Sequence, residues 1–332
     1  MDAKREYENI LAVLNDEIPD DLPDLGNAGA MTRTYGCTRV RNASDGFYYD
    51  PFGVKFRMTP LGPMPDNTRS RNFELDNILN WRSVMPNVNL DAIDWASEAE
   101  QIRKSAKSLN GNNTEYLVHN CLVGFLWDEL QYMMGFEEAL YSIAAEPEET
   151  AAFLLAMADF YIEVCERQFQ HYKPEIGLLM DHVANSKGLL MNPQSYRRII
   201  KPAQKRLIDA LKSMGLRIEL HCDGLIEDIL PDLAEIGVEI IQPFQVFNDI
   251  QMAKKNYGFI AVGGWDAFGK ANLQESTEQE VRQSVRDAMD AYGPGGKYIF
   301  WNSGVLNDGT QKKAWMIDEA YRYGRNYYRR ND

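Results

Sequence analysis

An imidazole, a thiol and a carboxylate follow one another at His221, Cys222 and Asp223, and Gly224 closes the run. Ahead of them, Arg217-Ile218-Glu219-Leu220 alternates apolar residues in the manner of a buried strand. Side chains two apart on an extended segment share a side. His221 and Asp223 therefore face together, while Cys222 faces away as a structural thiol. The facing pair can share a metal, or the carboxylate can orient the ring. A structural histidine bridging loops is the plainer alternative.

Similar groups recur after other strand-like runs: His119 and Asn120, Asp181 and His182, Gln242 and Gln245, Trp265 and Asp266, Asn302 and Ser303. Three of the chain's four histidines fall at such positions. Polar residues after strands are ordinary, so each alone says little. Together they predict one mouth at the carboxyl ends of parallel strands, where α/β folds place their chemistry. Asp181 can act there as a general base, bind a cationic group or ligate a metal; capping a helix is the alternative. Gly263-Gly264 allows backbone to approach a ligand closely. Trp265 can stack on a flat substrate or belong to the core. Arg41, Arg57, Arg69, Arg71 and Arg82 can meet substrate carboxylates or stay solvated.

The elements that must position these groups alternate strand and helix. Strands are expected at 116–120, 177–181, 217–221, 239–243, 259–263 and 297–302. Helices are expected at 129–145, 148–171, 192–214, 226–236, 249–256, 277–292 and 312–328. Asn192 caps the 192–214 run, with Pro193 at its first helical position and Pro202 as a kink. Such repetition implies a parallel sheet. No strand is followed by a Gly-x-Gly-x-x-Gly turn, which disfavours a dinucleotide-binding sheet. The expected fold is a (β/α)8 TIM barrel over 85–332, with an irregular N-terminal extension, 1–84, packed on it. Short strands are expected within that extension at 47–49 and 54–58.

The 332 residues are 45% hydrophobic, enough for one large core. A formal charge of −14 argues against a nucleic-acid partner. No apolar run approaches the roughly 20 residues that span a bilayer, and no signal-peptide core is visible near the start. Four scattered cysteines suggest a reduced, cytoplasmic protein rather than a disulfide framework. A homodimer is the commonest assembly for such chains.

Several stretches resemble the uroporphyrinogen decarboxylase superfamily, which includes zinc-dependent, corrinoid-linked methyltransferases. They are Asp50-Pro51-Phe52-Gly53-Val54, Gly135-Phe136-Glu137, Met180-Asp181 through Gly188-Leu189 and Asn192-Pro193, His221-x-Asp223-Gly224, Gln242-Pro243, and Gly263-Gly264-Trp265-Asp266. The resemblance implies a (β/α)8 barrel. The decarboxylases carry an Arg-Gln-Ala-Gly-Arg segment for substrate carboxylates, and this chain lacks it. The methyltransferases hold zinc with His-x-Cys-Gly and a later cysteine. Here Asp223 replaces the first cysteine, and none stands near Asn302-Ser303-Gly304. The implied centre is a harder His221/Asp223 site for zinc or another divalent metal, completed by Asp181 or His182.

The expected function is metal-assisted transfer of a methyl group from a small O- or N-methylated substrate to a separate corrinoid protein. Asp181, His182, His221 and Asp223 would be catalytic. His119, Asn120, Gln242, Gln245, Trp265, Asp266 and Asn302 would contact substrate. A cofactor-free decarboxylase-like lyase is the first alternative, and a non-catalytic small-molecule binding barrel the second.

Overall fold

A computed structural model describes residues 2–59, 62–66, 73–85, 88–111, 115–305 and 309–331. Its main sheet has seven parallel strands, adjacent in chain order: β1 (Gly29–Arg33), β2 (Val118–Gly124), β3 (Ile176–Met180), β4 (Arg217–His221), β5 (Ile240–Phe244), β6 (Ile260–Gly264) and β7 (Tyr298–Trp301). The sheet curls until its last strand meets the chain just ahead of its first. Phe300 N–H donates to Pro23 O at 2.9 Å, and Asp24 bridges Phe300 in parallel. Among the described residues the expected eighth strand is therefore absent. Asp24 instead turns the chain, accepting from Gly26 N–H at 3.0 Å and capping the one-turn helix Leu25–Ala28 that leads into β1.

One face of the sheet lines the inside of the curl. At its lower end Val118, Ile176, Ile240, Ile260, Val262 and Ile299 pack with Ile10, Val13 and Leu14 of helix α1 (Ala3–Leu14). The helix thus plugs the amino ends of the strands. The opposite face contributes Leu179, Ile218, Leu220, Ile241 and Phe300 to a larger core beneath the surrounding helices. The chemistry is left at the carboxyl ends.

The first 84 residues do more than cover the barrel, since they supply the plug and β1. A four-stranded antiparallel sheet follows (Val40–Arg41, Tyr48–Tyr49, Lys55–Thr59, Gly62–Pro65). Its Phe56 is fully buried and meets Tyr132 of helix α2 (Trp127–Met134) edge-on, with ring centroids 5.7 Å apart. The expected helix at 129–145 is two helices, broken at Gly135, whose φ of +88° suits glycine. None of the described helices is long and apolar enough to cross a membrane.

The plug and the turn ahead of β1 carry a pH-sensitive pair, Glu6 and Asp24. Burial, reinforced by Asp24 and Asp21, raises Glu6 to about 7, and burial raises Asp24 to about 7. Each keeps its proton in the fold where the unfolded chain has already lost it. Their contribution is complete below the unfolded carboxyl range and is lost as pH rises toward 7. Glu6→Gln, which cannot ionise, is therefore expected to gain stability on wild type from about pH 4.5 to about pH 7.5, by up to roughly 3 kcal/mol. Urea denaturation at the two pH values reads the difference. A constant difference would refute the assignment.

Candidate metal and ligand site

The strands β3 and β4 are neighbours, with Met180 in register with His221. The residues that follow them therefore converge. Asp223 follows His221 by two, and Cys222 between them is fully buried on the helix side, its thiol driven far above its ordinary range by burial. The rings of His182 and His221 stand 5.4 Å apart at 74°. One ligand atom each from His182, His221 and Asp223 lie within 4.8 Å of one another. Two imidazoles and one carboxylate form a donor set used by catalytic divalent metals, with positions left open.

Each of the three is held from behind. Asp128 Oδ2 lies 2.5 Å from His182 Nδ1, and Asp128 Oδ1 accepts the His182 backbone N–H at 3.0 Å. Gln242 Oε1 lies 2.8 Å from His221 Nδ1. Gln245 Nε2 donates to Asp223 Oδ1 at 2.9 Å, while its Oε1 accepts Gly224 N–H at 2.6 Å. These bonds put the proton of each ring on Nδ1 and leave Nε2 of both rings and Asp223 Oδ2 to converge. Partners of this kind fix ring orientation and tautomer at metal sites. No side chain other than hydrogen fits at Gly224: its φ is +106°, and a Cβ would lie 2.6 Å from Asn185 O.

The electrostatics suit the same reading. Burial works against charging His182, but the adjacent Asp128 carboxylate, with the hydrogen bonds that His182 donates to Asp128 and Asp223, pushes it up to about 10. Its Nε2 lies 3.4 Å from Asp223 Oδ2. Burial, and then the charge of His182, lowers His221. Burial works against ionising Asp223, yet the His182 hydrogen bond and the two imidazoles hold it below the ordinary carboxylate range. The two carboxylates thus favour positive charge at the junction between them.

The other sequence candidates separate. Gln242 and Gln245 join the cluster as supports. Asp181 does not reach it. Its buried carboxylate sits at the amino end of α2, accepting Leu126 and Trp127 N–H at 2.8 and 2.9 Å, and Gln204 Nε2 at 3.0 Å. Burial, then Asp128, raises it to about 7. This is the helix-capping alternative, made across the fold rather than along the chain.

His119 lies near the start of β2 rather than at its end, on the helix side, with Nδ1 2.5 Å from Tyr172 Oη. Asn120 donates to Glu219 at 2.6 Å inside the curl, below His221. Burial raises Glu219 to about 8. Trp265 is buried against the helix Glu278–Tyr292, donating to Ser284 Oγ at 3.0 Å. Asp266 is exposed and lines a separate hollow with Lys270 and Asp287. Asn302 follows Trp301, whose ring lies 6.3 Å from His221. Of the arginines, Arg57 pairs with Asp66 and Arg82 with Glu149, Arg41 is exposed, and Arg69 and Arg71 lie outside the described residues.

Beside Asp223, Gly224 and Gln245 opens a pocket of about 610 Å³. Phe247, Phe268 and Leu273 form its apolar wall, and Asn185, Asn272 and Ser303 add polar groups. The pocket can therefore hold a small molecule next to the His182, His221 and Asp223 cluster, with an apolar wall on one side.

Residues 94–305 match the family model described as uroporphyrinogen decarboxylase (URO-D). No curated protein matches the sequence. Among solved structures, a methyltransferase from Methanosarcina mazei superposes with a TM-score of 0.66 over 96% of this chain and 98% of its own, at 13% identity. That likeness is one of fold. A Xaa-Pro dipeptidase with bound methionine in the active site reaches only 0.34, over 67% and 56% at 12% identity.

Proposed function

Because this chain belongs to the uroporphyrinogen decarboxylase family, we propose that it is a (β/α)8-type enzyme that moves a methyl group from a small O- or N-methylated substrate to a separate corrinoid protein. In this reading 85–332 form the barrel and 1–84 pack on and complete it. His182, His221 and Asp223 hold zinc or another divalent metal. The observation that carries the reading is the set of three donors, each with its far atom already engaged by Asp128, Gln242 or Gln245.

A divalent ion there would supply Lewis acidity toward a substrate oxygen or nitrogen that keeps a free lone pair. The chain's own residues do the rest. Asp128 and Gln242 keep both Nε2 atoms aimed at the junction. Gln245 keeps Asp223 beside the pocket. Phe247 and Phe268 screen one side from water. The methyl group would pass as a methyl-cation equivalent to the partner's corrinoid in its Co(I) form; the carbon–heteroatom bonding pair stays with the leaving atom, so that an alkoxide takes up a proton whereas a quaternary ammonium leaves as a neutral amine. Nitrogen and oxygen ligands suit this better than retention of a thiolate.

Among the described residues lining the pocket there is no arginine or lysine, which weighs against the decarboxylase alternative and its carboxylate-rich substrate. Incubation with cob(I)alamin and a panel of O- and N-methylated donors, followed by absorbance, tests the proposal. Methylcobalamin should form with at least one donor, and His221→Ala should abolish it. Metal-independent release of carbon dioxide from uroporphyrinogen, with no methyl transfer, would overturn it.

A further inference from the structure

The wall of the pocket has a composition that the proposed chemistry does not require. Phe247 and Phe268 set their rings 5.4 Å apart at 42°, forming an open aromatic corner. Phe268 is 72% exposed and Leu273 46% exposed, unusual for large apolar side chains on a loop that lines a cavity. Asp223 faces the same cavity with half of its side chain exposed. It is the charged side chain among the described residues that line it. The remaining polar liners are neutral amides and the hydroxyls of Ser186 and Ser303.

The loop that carries Phe268 is anchored rather than loose. Asn272 Nδ2 donates to Ala267 O at 2.8 Å and to Gly304 O at 3.0 Å, tying it to the loop after β7. Lys312, itself buried, donates to Asn272 O at 3.1 Å and Leu273 O at 3.0 Å from below. The aromatic corner is thus presented by a fixed frame.

Aromatic faces attract cations through the ring quadrupole, and a carboxylate adds charge to the same end. A methylated ammonium is weakly hydrated and offers both the apolar surface that two rings can cover and the charge that Asp223 favours. On the reading that this cavity is the substrate pocket, we infer that its ligand is a small cationic N-methylated compound, seated against the rings of Phe247 and Phe268 with its charge toward Asp223. This selects the amine over the ether among the methylated substrates. A divalent ion held by Asp223 would offset its charge, so the preference for the cation is strongest in the metal-free protein, and the titration is made on that form.

Calorimetric titration of the purified protein with choline and with 3,3-dimethylbutan-1-ol, its uncharged isostere, tests the inference. Choline is expected to bind at least about ten-fold more tightly. Phe268→Leu keeps an apolar side chain but removes the ring, and should lose most of that preference. Phe268→Trp should keep or increase it. Because Phe268 is exposed, none of these variants threatens folding. Equal binding of the two probes, retention of the preference in Phe268→Leu, or no binding of choline would each overturn the inference. Metal analysis of the same wild-type protein serves as the separating measurement. A protein that binds choline but no metal therefore defeats the proposed function and leaves this inference standing.

Discussion

Asp128→Ala should weaken metal binding by roughly ten- to a hundred-fold, the range for loss of a partner behind a metal-bound histidine. Asp128 is 2% exposed and accepts from His182 twice, at the ring and at the backbone. Removing it frees the ring to rotate and leaves the His182 N–H without its partner, costing about 1–3 kcal/mol of stability besides. Asp128→Asn retains an acceptor oxygen, and its loss should be clearly smaller. Chelator competition with zinc measures the affinities, and urea denaturation separates the stability term. Wild-type affinity in the alanine variant would show that His182 is not a ligand.

Gly224→Ala should be severely damaging for a change of one small residue to another. The backbone there sits at φ +106°, and the new Cβ would lie 2.6 to 2.7 Å from the O, C and N of Asn185. Rotation cannot relieve contact with backbone, so the loops after β3 and β4 must part. Their separation breaks the bond from Leu225 N–H to Asn185 O, now 2.8 Å, and disturbs the Gln245 clamp on Asp223. Strain and lost hydrogen bonding together should cost about 3 kcal/mol or more. Gly258→Ala is the natural comparison. Its φ is +76°, but nothing lies within 4 Å of the added atom. It should cost only the backbone strain, about 1 kcal/mol. Denaturation midpoints of the two variants give the comparison directly. Equal costs would mean that the Asn185 contact yields freely.

What the sequence revealed followed local periodicity, and what it concealed depended on distance along the chain. The strand at 217–221 has the bounds that its alternation suggests, and His221-x-Asp223 follows from it. The strand containing His119 was expected at 116–120 but runs over Val118–Gly124. The apolar run Cys121-Leu122-Val123 continues it past the polar pair. That displacement of four residues put His119 and Asn120 at a strand end where they do not lie. It also hid Asp128, which stands in the first turn of the following helix and is the residue at the carboxyl end of β2 that supports the cluster. Reading the full apolar run would have found it.

Asp181 shows the other limit. An aspartate after a strand fits a catalytic role and a cap equally well, and its helix begins 54 residues earlier in the chain. Trp265 follows two glycines at a strand end, yet packs on the helix that comes after it. The near-closure of the sheet was hidden for a similar reason. The segment beside β7 is a single bridge at Asp24, too short to carry a periodic signal. The family pattern fixed the fold class and left the donor set to the residues themselves, because Asp223 stands where the pattern has cysteine.

Elemental analysis of protein purified without chelator, wild type beside His221→Ala, decides whether His182, His221 and Asp223 bind a divalent metal. About one divalent ion per chain is expected in the wild type and nearly none in the variant, with both folded by circular dichroism. Absence of metal from the wild type after incubation with zinc, or equal metal in the two proteins, would contradict that binding.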